Sequence, residues 1–322
     1  CQHHDSAVNG KRVKLVLGAY TTPREAYGKA IIPAFQQYWK AKTGQDVEFQ
    51  ESYQASGAQA RAIASGFEAD IAALSLEGDI DKIAEAGLIT HDWKTGINRG
   101  IVSTSIVVLA VRPGNPKQIR DWADLTKSGL NVLTPDPKTS GGAQWNVNAI
   151  YGAALRGFTD VAKGDSAAAT DFLRRLLGNV SIMDKGARES IITFEKGVGD
   201  VAITYENEVL VGQKNGQDYE LIIPPATILI ENPVAVVERS TAKKGTGELA
   251  KAYLDYLYSD EGQEIAARHA IRPRSAAVLT RHASVFKPLT LVPVSEFFGS
   301  LSEAQKVHFN DGGQFDKLYT VR

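Results

Sequence analysis

A loop rich in proline and glycine, residues 134–146, constrains the fold of this chain more than any other stretch. It follows an apolar run at 130–133 that is typical of a buried strand. After it, Trp145, Ala149 and Ala153 are spaced four apart, like one face of a helix. This order predicts a strand, a stiff connection and a helix.

The loop contains Ser140-Gly141-Gly142 at the point where the helix should begin. Serine is a favoured N-cap residue, and glycine lets an outside group approach the backbone closely. The first turn of a helix carries free N–H groups and a partial positive charge. The sequence therefore predicts an anion-binding site at this helix start, with an ordinary structural cap as the alternative.

The same order of strand, small residues and helix recurs twice. A strand predicted at 46–53 is followed by Ser56 and a glycine at a helix start, and a strand near 180–183 is followed by Gly186-Ala187. Strands that alternate with helices in this way predict an α/β fold with a parallel, doubly wound sheet. Ligands of such sheets bind beyond the strand ends, at the helix starts.

The first helix has its own start signal. A strand is predicted at 13–20, after which Thr22 should be the N-cap, Pro23 the first helical residue and Glu25 the partner that completes a capping box. Pro33 should then kink or interrupt the helix, because proline has no N–H to donate.

The chain is long enough for two domains, since it has 322 residues. A long strand-like run at 103–112 predicts a crossing from the first domain to the second, and the run at 228–237 predicts the return. Two crossings make a hinge with a cleft between the domains. The predicted organisation is a flexible tether at 1–12, a first domain formed by 13–107 plus 236–322, and a second domain at 108–235.

Composition narrows the classes of partner. The chain has 36 basic and 37 acidic side chains, a net charge of −1, so the balance does not favour a nucleic-acid binder. Apolar runs such as 106–111 are much shorter than a membrane span. The one cysteine is Cys1, which excludes an internal disulfide and a cysteine-rich metal site.

Cys1 also stands at the start of a polar leader without periodicity, residues 2–11, which has the composition of a tether. A terminal cysteine followed by such a leader is similar to a processed bacterial lipoprotein, in which the cysteine carries the lipid. We therefore expect lipidation at Cys1. The alternative is that the sequence begins at a cysteine by coincidence.

Motifs for catalysis or metal binding are weak. The six histidines do not fall at a metal-ligand spacing, and the sequence has neither a phosphate loop nor a nucleophile elbow. Ser140 could act as a nucleophile, but its neighbours in sequence include no evident base. Glu206 and Glu208 could do acid–base work, although surface carboxylates or hinge contacts are the alternative. We expect no catalysis, no metal and no cofactor.

Seven blocks of sequence resemble the periplasmic sulfate-binding proteins that feed ABC importers, and the resemblance extends from about residue 14 onward. It implies two α/β domains joined by a hinge, in the arrangement of type II-like periplasmic binding proteins. The blocks are GNPKQI at 114–119, PKTSGGA at 137–143, GAR at 186–188, YENE at 205–208, YLYS at 256–259, EGQEIAA at 261–267 and RPR at 272–274.

The resemblance also implies a set of ligand groups, because the family holds dehydrated sulfate with uncharged donors. Two positions depart from the family pattern: Thr21 stands where an aspartate is typical, and Tyr205 stands where a tryptophan donates its indole N–H. A tyrosine hydroxyl can accept as well as donate. The implied donors are the backbone N–H groups of Thr21, Ser56, Gly141, Gly142 and Ala187, the Ser140 hydroxyl and Tyr205.

The function that the resemblance implies is capture of sulfate in the cleft and delivery to the membrane permease of an ABC importer. It implies a monomer in the periplasm or on the outer face of the bacterial cytoplasmic membrane, attached only through the lipid expected on Cys1. Thiosulfate or another tetrahedral oxyanion such as molybdate is the alternative ligand. A hydrolase of sulfate or phosphate esters is a further alternative.

Overall fold

A computed structural model of the chain describes residues 12–289, 291–298 and 301–319. Cys1 and the predicted tether up to residue 11 lie outside the described residues. Within the described ranges, no helix combines the length and the apolar character that a membrane crossing requires.

Within the described residues, ten strands pair into one sheet. Eight of them follow the order β2-β1-β3-β9-β4-β7-β5-β6, and β8 and β10 pair with β4 outside this path. The strands are β1 Val13–Tyr20, β2 Val47–Gln54, β3 Ile71–Ala73, β4 Ile101–Val111, β5 Val132–Leu133, β6 Val180–Ile182, β7 Val201–Tyr205, β8 Glu220–Ile222, β9 Leu229–Val236 and β10 Arg272–Pro273.

Fifteen α-helical segments cover the faces of these strands in the part of the chain that is described. They are α1 Arg24–Ala26, α2 Ile32–Thr43, α3 Ser56–Ala64, α4 Glu77–Glu85, α5 Gly141–Leu155, α6 Ser166–Leu177, α7 Ala187–Glu195, α8 Glu206–Lys214, α9 Glu238–Lys244, α10 Gly247–Tyr258, α11 Asp260–Arg268, α12 Ala276–Arg281, α13 Ser295–Phe298, α14 Leu301–Ala304 and α15 Gln314–Leu318. Short 3₁₀ and π segments occupy Trp93–Thr95, Ile97–Gly100, Trp122–Thr126, Tyr27–Ile31 and Gln305–Phe309.

The strands form two lobes, which confirms the predicted two-domain α/β fold. In the first lobe, β2, β1 and β3 are parallel, and in the second lobe β7, β5 and β6 are parallel. The prediction of an all-parallel sheet was wrong for the crossing strands, since β9 is antiparallel to β3 and β4 is antiparallel to β7. The reason is geometric. The parallel strands of each lobe run toward the cleft, whereas a strand that crosses from the other lobe enters at the cleft and runs away from it.

Each lobe buries apolar side chains on both faces of its sheet, as a doubly wound fold requires. In the first lobe, one face carries Leu15 and Phe35 and the other carries Val16 and Ile63. In the second lobe, the two clusters are built around large buried side chains. They are Trp122, Trp145 and Phe172 on one face, and Ile191, Phe194 and Tyr219 on the other.

The start of the first helix differs from the prediction. The N-cap residue is Pro23 and has no side-chain cap, so the predicted capping box of Thr22 and Glu25 does not form. The predicted interruption near Pro33 takes the form of the π turn Tyr27–Ile31, which ends two residues before the proline, and Pro33 lies in the first turn of α2, where its missing N–H is tolerated. Gly44 ends the helix with a φ of 76°, which a glycine adopts without strain.

The C-terminal segment, residues 291–298 and 301–319, packs on the second lobe. Ala304, Phe309 and Phe315 belong to the apolar cluster of Trp145, and Leu229 donates its N–H to the carbonyl of Val292. The segment therefore contributes to the core of the lobe that contains the 134–146 loop, whereas the predicted organisation places it in the first domain. The boundary residues themselves stay a prediction.

Candidate functional site

A small cavity lies between the two lobes, where strand ends and helix starts meet. All seven residues of the predicted ligand set line it, so the structure brings them together although they come from distant parts of the chain. The lining consists of Tyr20, Thr21, Thr22, Ala55, Ser56 and Ser75 from the first lobe and Ser140, Gly141, Gly142, Ala187 and Tyr205 from the second.

Two backbone positions of the first lobe reach the cavity. Thr21 directly follows β1. Ser56 is the first residue of α3 and lies two residues after the end of β2. Both residues are buried, with exposures of 8% and 2%. Parallel strands end at the same edge of a sheet, so these two amide groups lie side by side at the cleft.

The Ser56 hydroxyl is fully used within the first lobe. It donates to Asp79 Oδ2 at 2.7 Å and accepts the Ser75 N–H at 3.0 Å. Burial raises the pKa of Asp79, while Lys82 and the Ser56 hydroxyl partly offset this rise. Ser56 is therefore left with its backbone N–H to offer to a ligand.

The second lobe presents the start of α5. Ser140 is the N-cap, and its Oγ accepts the N–H of Ala143 at 3.2 Å, which leaves its own proton free to point into the cavity. The Ser140 N–H donates to the carbonyl of Asp136 at 2.8 Å, which holds the loop in place. Gly141 and Gly142 follow as the first two residues of the helix.

Both glycines stand where a side chain would not fit. A Cβ on Gly141 would lie 2.6 Å from Cβ of Ser75, and one on Gly142 would lie 2.8 Å from Cε2 of Tyr205. Neither has a positive φ, so close approach rather than conformation demands glycine. The sequence prediction that glycine serves close approach here agrees with this geometry.

Ala187 completes the second lobe's contribution as the first residue of α7. Its loop is tied to the 134–146 loop, because Thr139 Oγ1 donates to the carbonyl of Lys185 at 2.6 Å and Asp136 donates its N–H to the carbonyl of Asp184 at 2.8 Å. The two loops therefore present their helix starts as one wall.

Five amide N–H groups at this cavity make no hydrogen bond to any acceptor in the described part of the chain. They belong to Thr21, Ser56, Gly141, Gly142 and Ala187. Four of them lie in the first turns of α3, α5 and α7, where the helix dipole adds partial positive charge. Buried amides need a partner, so this arrangement suits an oxyanion.

Tyr205 is the N-cap residue of α8 and is 2% exposed. Its hydroxyl is hydrogen-bonded to Oγ of Ser75 from the opposite lobe. Burial raises the pKa of Tyr205 well above its ordinary value, so the phenol keeps its proton at neutral pH.

Ser75 was missed by the sequence reading. β3 ends at Ala73, two residues before Ser75. Ser75 and Leu76 thus form the turn between β3 and α4. The available signal was a serine close to a helix start: Ser75 lies two residues before α4, as Ser140 directly precedes α5 and Ser56 begins α3.

Direct contacts between the lobes close the cavity. Gly57 donates its N–H to the carbonyl of Thr139 at 3.0 Å. Arg188 of the second lobe lies 3.0 Å from Oε2 of Glu25 of the first lobe and 2.9 Å from the buried Glu208. Burial alone would raise the pKa of Glu25, but the hydrogen bonds and charge of Arg188 keep it below its ordinary value. The structure is therefore a closed form.

Catalytic groups do not gather at this cavity. Glu206 pairs with Arg272 at 2.9 Å and Glu208 pairs with Arg188, so the carboxylates that the sequence marked as an acid–base pair have separate partners. The lining given above contains no carboxylate and no imidazole. Across the described ranges, no group of three or more histidine, cysteine or acidic residues is placed to hold a metal ion.

Two α/β lobes that close on a small cavity lined by uncharged donors define a two-lobed solute-binding protein. The chain belongs to the family of bacterial extracellular solute-binding proteins, whose model matches residues 15–272.

Three similar proteins are named for the anion that they bind. The chain is 45% identical over 317 residues to the sulfate-binding protein of Escherichia coli (strain K12), covering 97% of this chain and 95% of that protein. It is 39% identical to the thiosulfate-binding protein of Pseudomonas aeruginosa, covering 94% and 91%. Its structure is similar to that of the sulfate-binding protein SubI from Mycobacterium tuberculosis H37Rv, with a TM-score of 0.85, 34% identity, and coverage of 93% and 100%.

Proposed function

We propose that this chain captures sulfate in the cleft between its lobes and delivers it to the permease of an ABC importer. The observation that carries the proposal is the set of five unpartnered backbone N–H groups around one small cavity. The Ser140 hydroxyl and the Tyr205 hydroxyl are the further donors. The sulfate-binding relatives at 45% and 34% identity support the choice of ligand.

The donor count has an energetic reason. A buried unpaired dianion costs far more free energy than one hydrogen bond returns. A hydrogen bond to a charged group contributes about 1.5–3 kcal/mol, and a helix start adds about 0.3–1 kcal/mol. Several donors are therefore needed, and since neither lobe has enough of them alone, sulfate stabilises the closed form.

The same donor set selects against protonated anions. The amide groups can only donate, and the lining has no carboxylate that could accept a ligand's proton. Sulfate carries no proton at neutral pH, whereas hydrogen phosphate does, and the amide groups offer that proton no acceptor. Only a hydroxyl of the lining could accept it. A site built in this way rejects the protonated anion through an unpaired polar group.

The proposal includes a place and a partner. An extracytoplasmic position fits the family to which the chain belongs, and a permease partner fits the relatives that carry sulfate and thiosulfate. We infer a binding role without catalysis, because the groups that line the cavity offer no base near the Ser140 hydroxyl. Lipidation of Cys1 stays a prediction from the sequence.

Calorimetric titration with sulfate, phosphate and molybdate at neutral pH tests the proposal. We expect tight binding of sulfate and an affinity for phosphate at least 100-fold weaker, since an unpaired buried proton costs about 3 kcal/mol. Comparable affinities for the two anions would contradict the donor-only site.

Thiosulfate is the second candidate ligand, and the 39% identical thiosulfate-binding relative favours testing it. Competition between thiosulfate and sulfate for the same site, followed in the calorimeter, separates a sulfate-selective site from a shared one. A thiosulfate affinity that exceeds that of sulfate would replace the proposed ligand while keeping the proposed site.

A further inference from the structure

Ser75 is a fully buried residue of the first lobe that faces the second lobe. It follows β3, belongs to the turn before α4 and lines the cavity. Its backbone is held firmly, because its N–H donates to Oγ of Ser56 at 3.0 Å and its carbonyl accepts Nδ2 of Asn232 at 3.1 Å. The side chain of Ser75 is thus placed at the cleft by its own lobe.

Two aromatic residues of the second lobe meet this side chain. Trp145 Nε1 lies 3.1 Å from Oγ of Ser75 and 3.2 Å from its carbonyl oxygen, and the indole can only donate. Tyr205 Oη is hydrogen-bonded to the same Oγ, and here either oxygen can be the donor. These contacts join opposite lobes, so they form when the lobes close.

Counting protons shows what the Ser75–Tyr205 pair offers to a ligand. The two hydroxyls carry two protons, and the hydrogen bond between them uses one. The indole of Trp145 occupies an acceptor site on Oγ of Ser75 and adds no proton that could face the cavity. Whichever way the internal bond runs, one O–H of the pair remains for the cavity, from Tyr205 or from Ser75.

We propose that Ser75 is a further anion-binding residue and that it forms with Tyr205 one shared hydroxyl donor, in which either oxygen can serve the anion. This inference rests on the proposed sulfate function. It adds a residue that the sequence reading did not assign to the site, and it explains how a tyrosine serves as a donor in a site built of donors. The internal bond between the two hydroxyls gives the second one a partner, so neither is left unpaired on burial.

The Ser75–Tyr205 pair also favours sulfate binding to the closed form. With the lobes apart, water satisfies both hydroxyls and each is free to rotate. On closure, the pair leaves one proton directed at the cavity and one in the internal bond. The donor is therefore complete only in the closed form, as the backbone donors are.

Three variants test the shared donor by calorimetric titration with sulfate: Ser75→Ala, Tyr205→Phe and the double variant. In each single variant the remaining hydroxyl still donates to the anion, and only the bond between lobes is lost, so sulfate binding should weaken about fivefold. The double variant has neither hydroxyl and should bind at least about 100-fold more weakly. That loss exceeds the roughly 25-fold product of the two single effects.

Controls exclude a loss of fold. Tyr253→Phe removes the hydroxyl of a fully buried tyrosine in the first lobe, and Ser240→Ala changes a buried serine on α9, which contributes nothing to the cavity lining. Both should bind sulfate like the wild type. Thermal melting of each unliganded variant shows whether the lobes are folded.

The outcomes separate this inference from the function on which it rests. If Tyr205→Phe alone causes the whole loss, and Ser75→Ala changes nothing in either background, Ser75 is not part of the donor and the inference is overturned. A double variant no weaker than the product of the single effects overturns it as well. A wild-type protein that does not bind sulfate overturns the proposed function and this inference together.

Discussion

Gly141 and Gly142 are neighbours in the chain, but Gly141 packs against the first lobe and Gly142 packs within the second. A Cβ on Gly141 would meet Ser75 at 2.6 Å and Ser56 at 3.1 Å, both in the first lobe. A Cβ on Gly142 would meet Tyr205 at 2.8 Å and Ala187 at 3.3 Å, both in its own lobe. The first glycine therefore permits closure, whereas the second permits the packing of its own lobe.

Gly141→Ala and Gly142→Ala form a matched pair that tests this difference. We expect Gly141→Ala to weaken sulfate binding by at least about tenfold while the melting temperature of the unliganded protein stays close to that of the wild type, because the clash arises only on closure. Gly142→Ala should lower that melting temperature, since its clash persists in the open form. Calorimetry and thermal melting measure the two effects, and equal behaviour of the variants in both assays would contradict the assignment.

The C-terminal segment contains a histidine, His308, that is buried against the second lobe. His308, in the π segment Gln305–Phe309, is fully buried among the rings of Tyr151, Phe298 and Phe309 at centroid distances of 4.9, 4.9 and 5.5 Å. Burial lowers the pKa of His308 to about 4. The neutral ring is thus an apolar packing element, and its protonation opposes the attachment of the segment.

The sign of the pH effect follows from the two pKa values. An unfolded histidine has a pKa of about 6.5, so between about pH 6.5 and 4 the unfolded chain binds a proton that the folded chain does not. The free energy of unfolding should therefore fall by about 2 kcal/mol from about pH 7.5 to 5 because of His308 alone. Melting curves of the wild type and His308→Leu across this range measure the effect, and the variant should lose less stability on acidification.

Phe309→Leu is the matched control for the histidine variant. It removes apolar contact in the same cluster without removing a titrating group, so it should lower the melting temperature by a similar amount at each pH. A wild type and a His308→Leu variant with the same pH dependence would show that His308 is not the group responsible.

At the scale of the whole molecule, the ion pair of Arg188 and Glu25 joins the lobes beside the cavity. Arg188 directly follows Ala187 in α7, while Glu25 lies in α1 of the first lobe. Their side chains are 20% and 24% exposed, so solvent screens the pair only in part. Because these residues belong to different lobes, the pair stabilises the closed form over the open one.

Glu25→Gln should speed the release of sulfate more than it slows its capture. We expect the dissociation rate to rise by about two- to fivefold, because a partly exposed ion pair contributes about 1 kcal/mol or less. Stopped-flow fluorescence, with the buried Trp145 beside the cavity as reporter, measures both rates. Asp255→Asn, which removes an exposed pair with Lys251 within α10, should change neither rate. A slower association with unchanged release would mean that the ion pair does not stabilise the closed form.

Much of the site could be predicted because its signals are local. Ser140 as an N-cap, Gly141 and Gly142 at a helix start and Ala187 at the next are visible in a few consecutive residues, and the resemblance to a family added Thr21. Predictions failed where a distant partner decided the outcome. Glu25 does not complete a capping box; its carboxylate pairs with Arg188, 163 residues away.

The sequence by itself determined the alternation of strands and helices and the donor groups at the helix starts, because hydrophobic period, capping and glycine placement act over a few residues. Only the tertiary structure decided that β4 and β9 run antiparallel to their neighbours and that Ser75 meets Tyr205 across 130 residues of chain. Such contacts depend on how two separately built lobes close on each other. That geometry depends on packing between distant parts of the chain, so no single segment of the sequence predicts it.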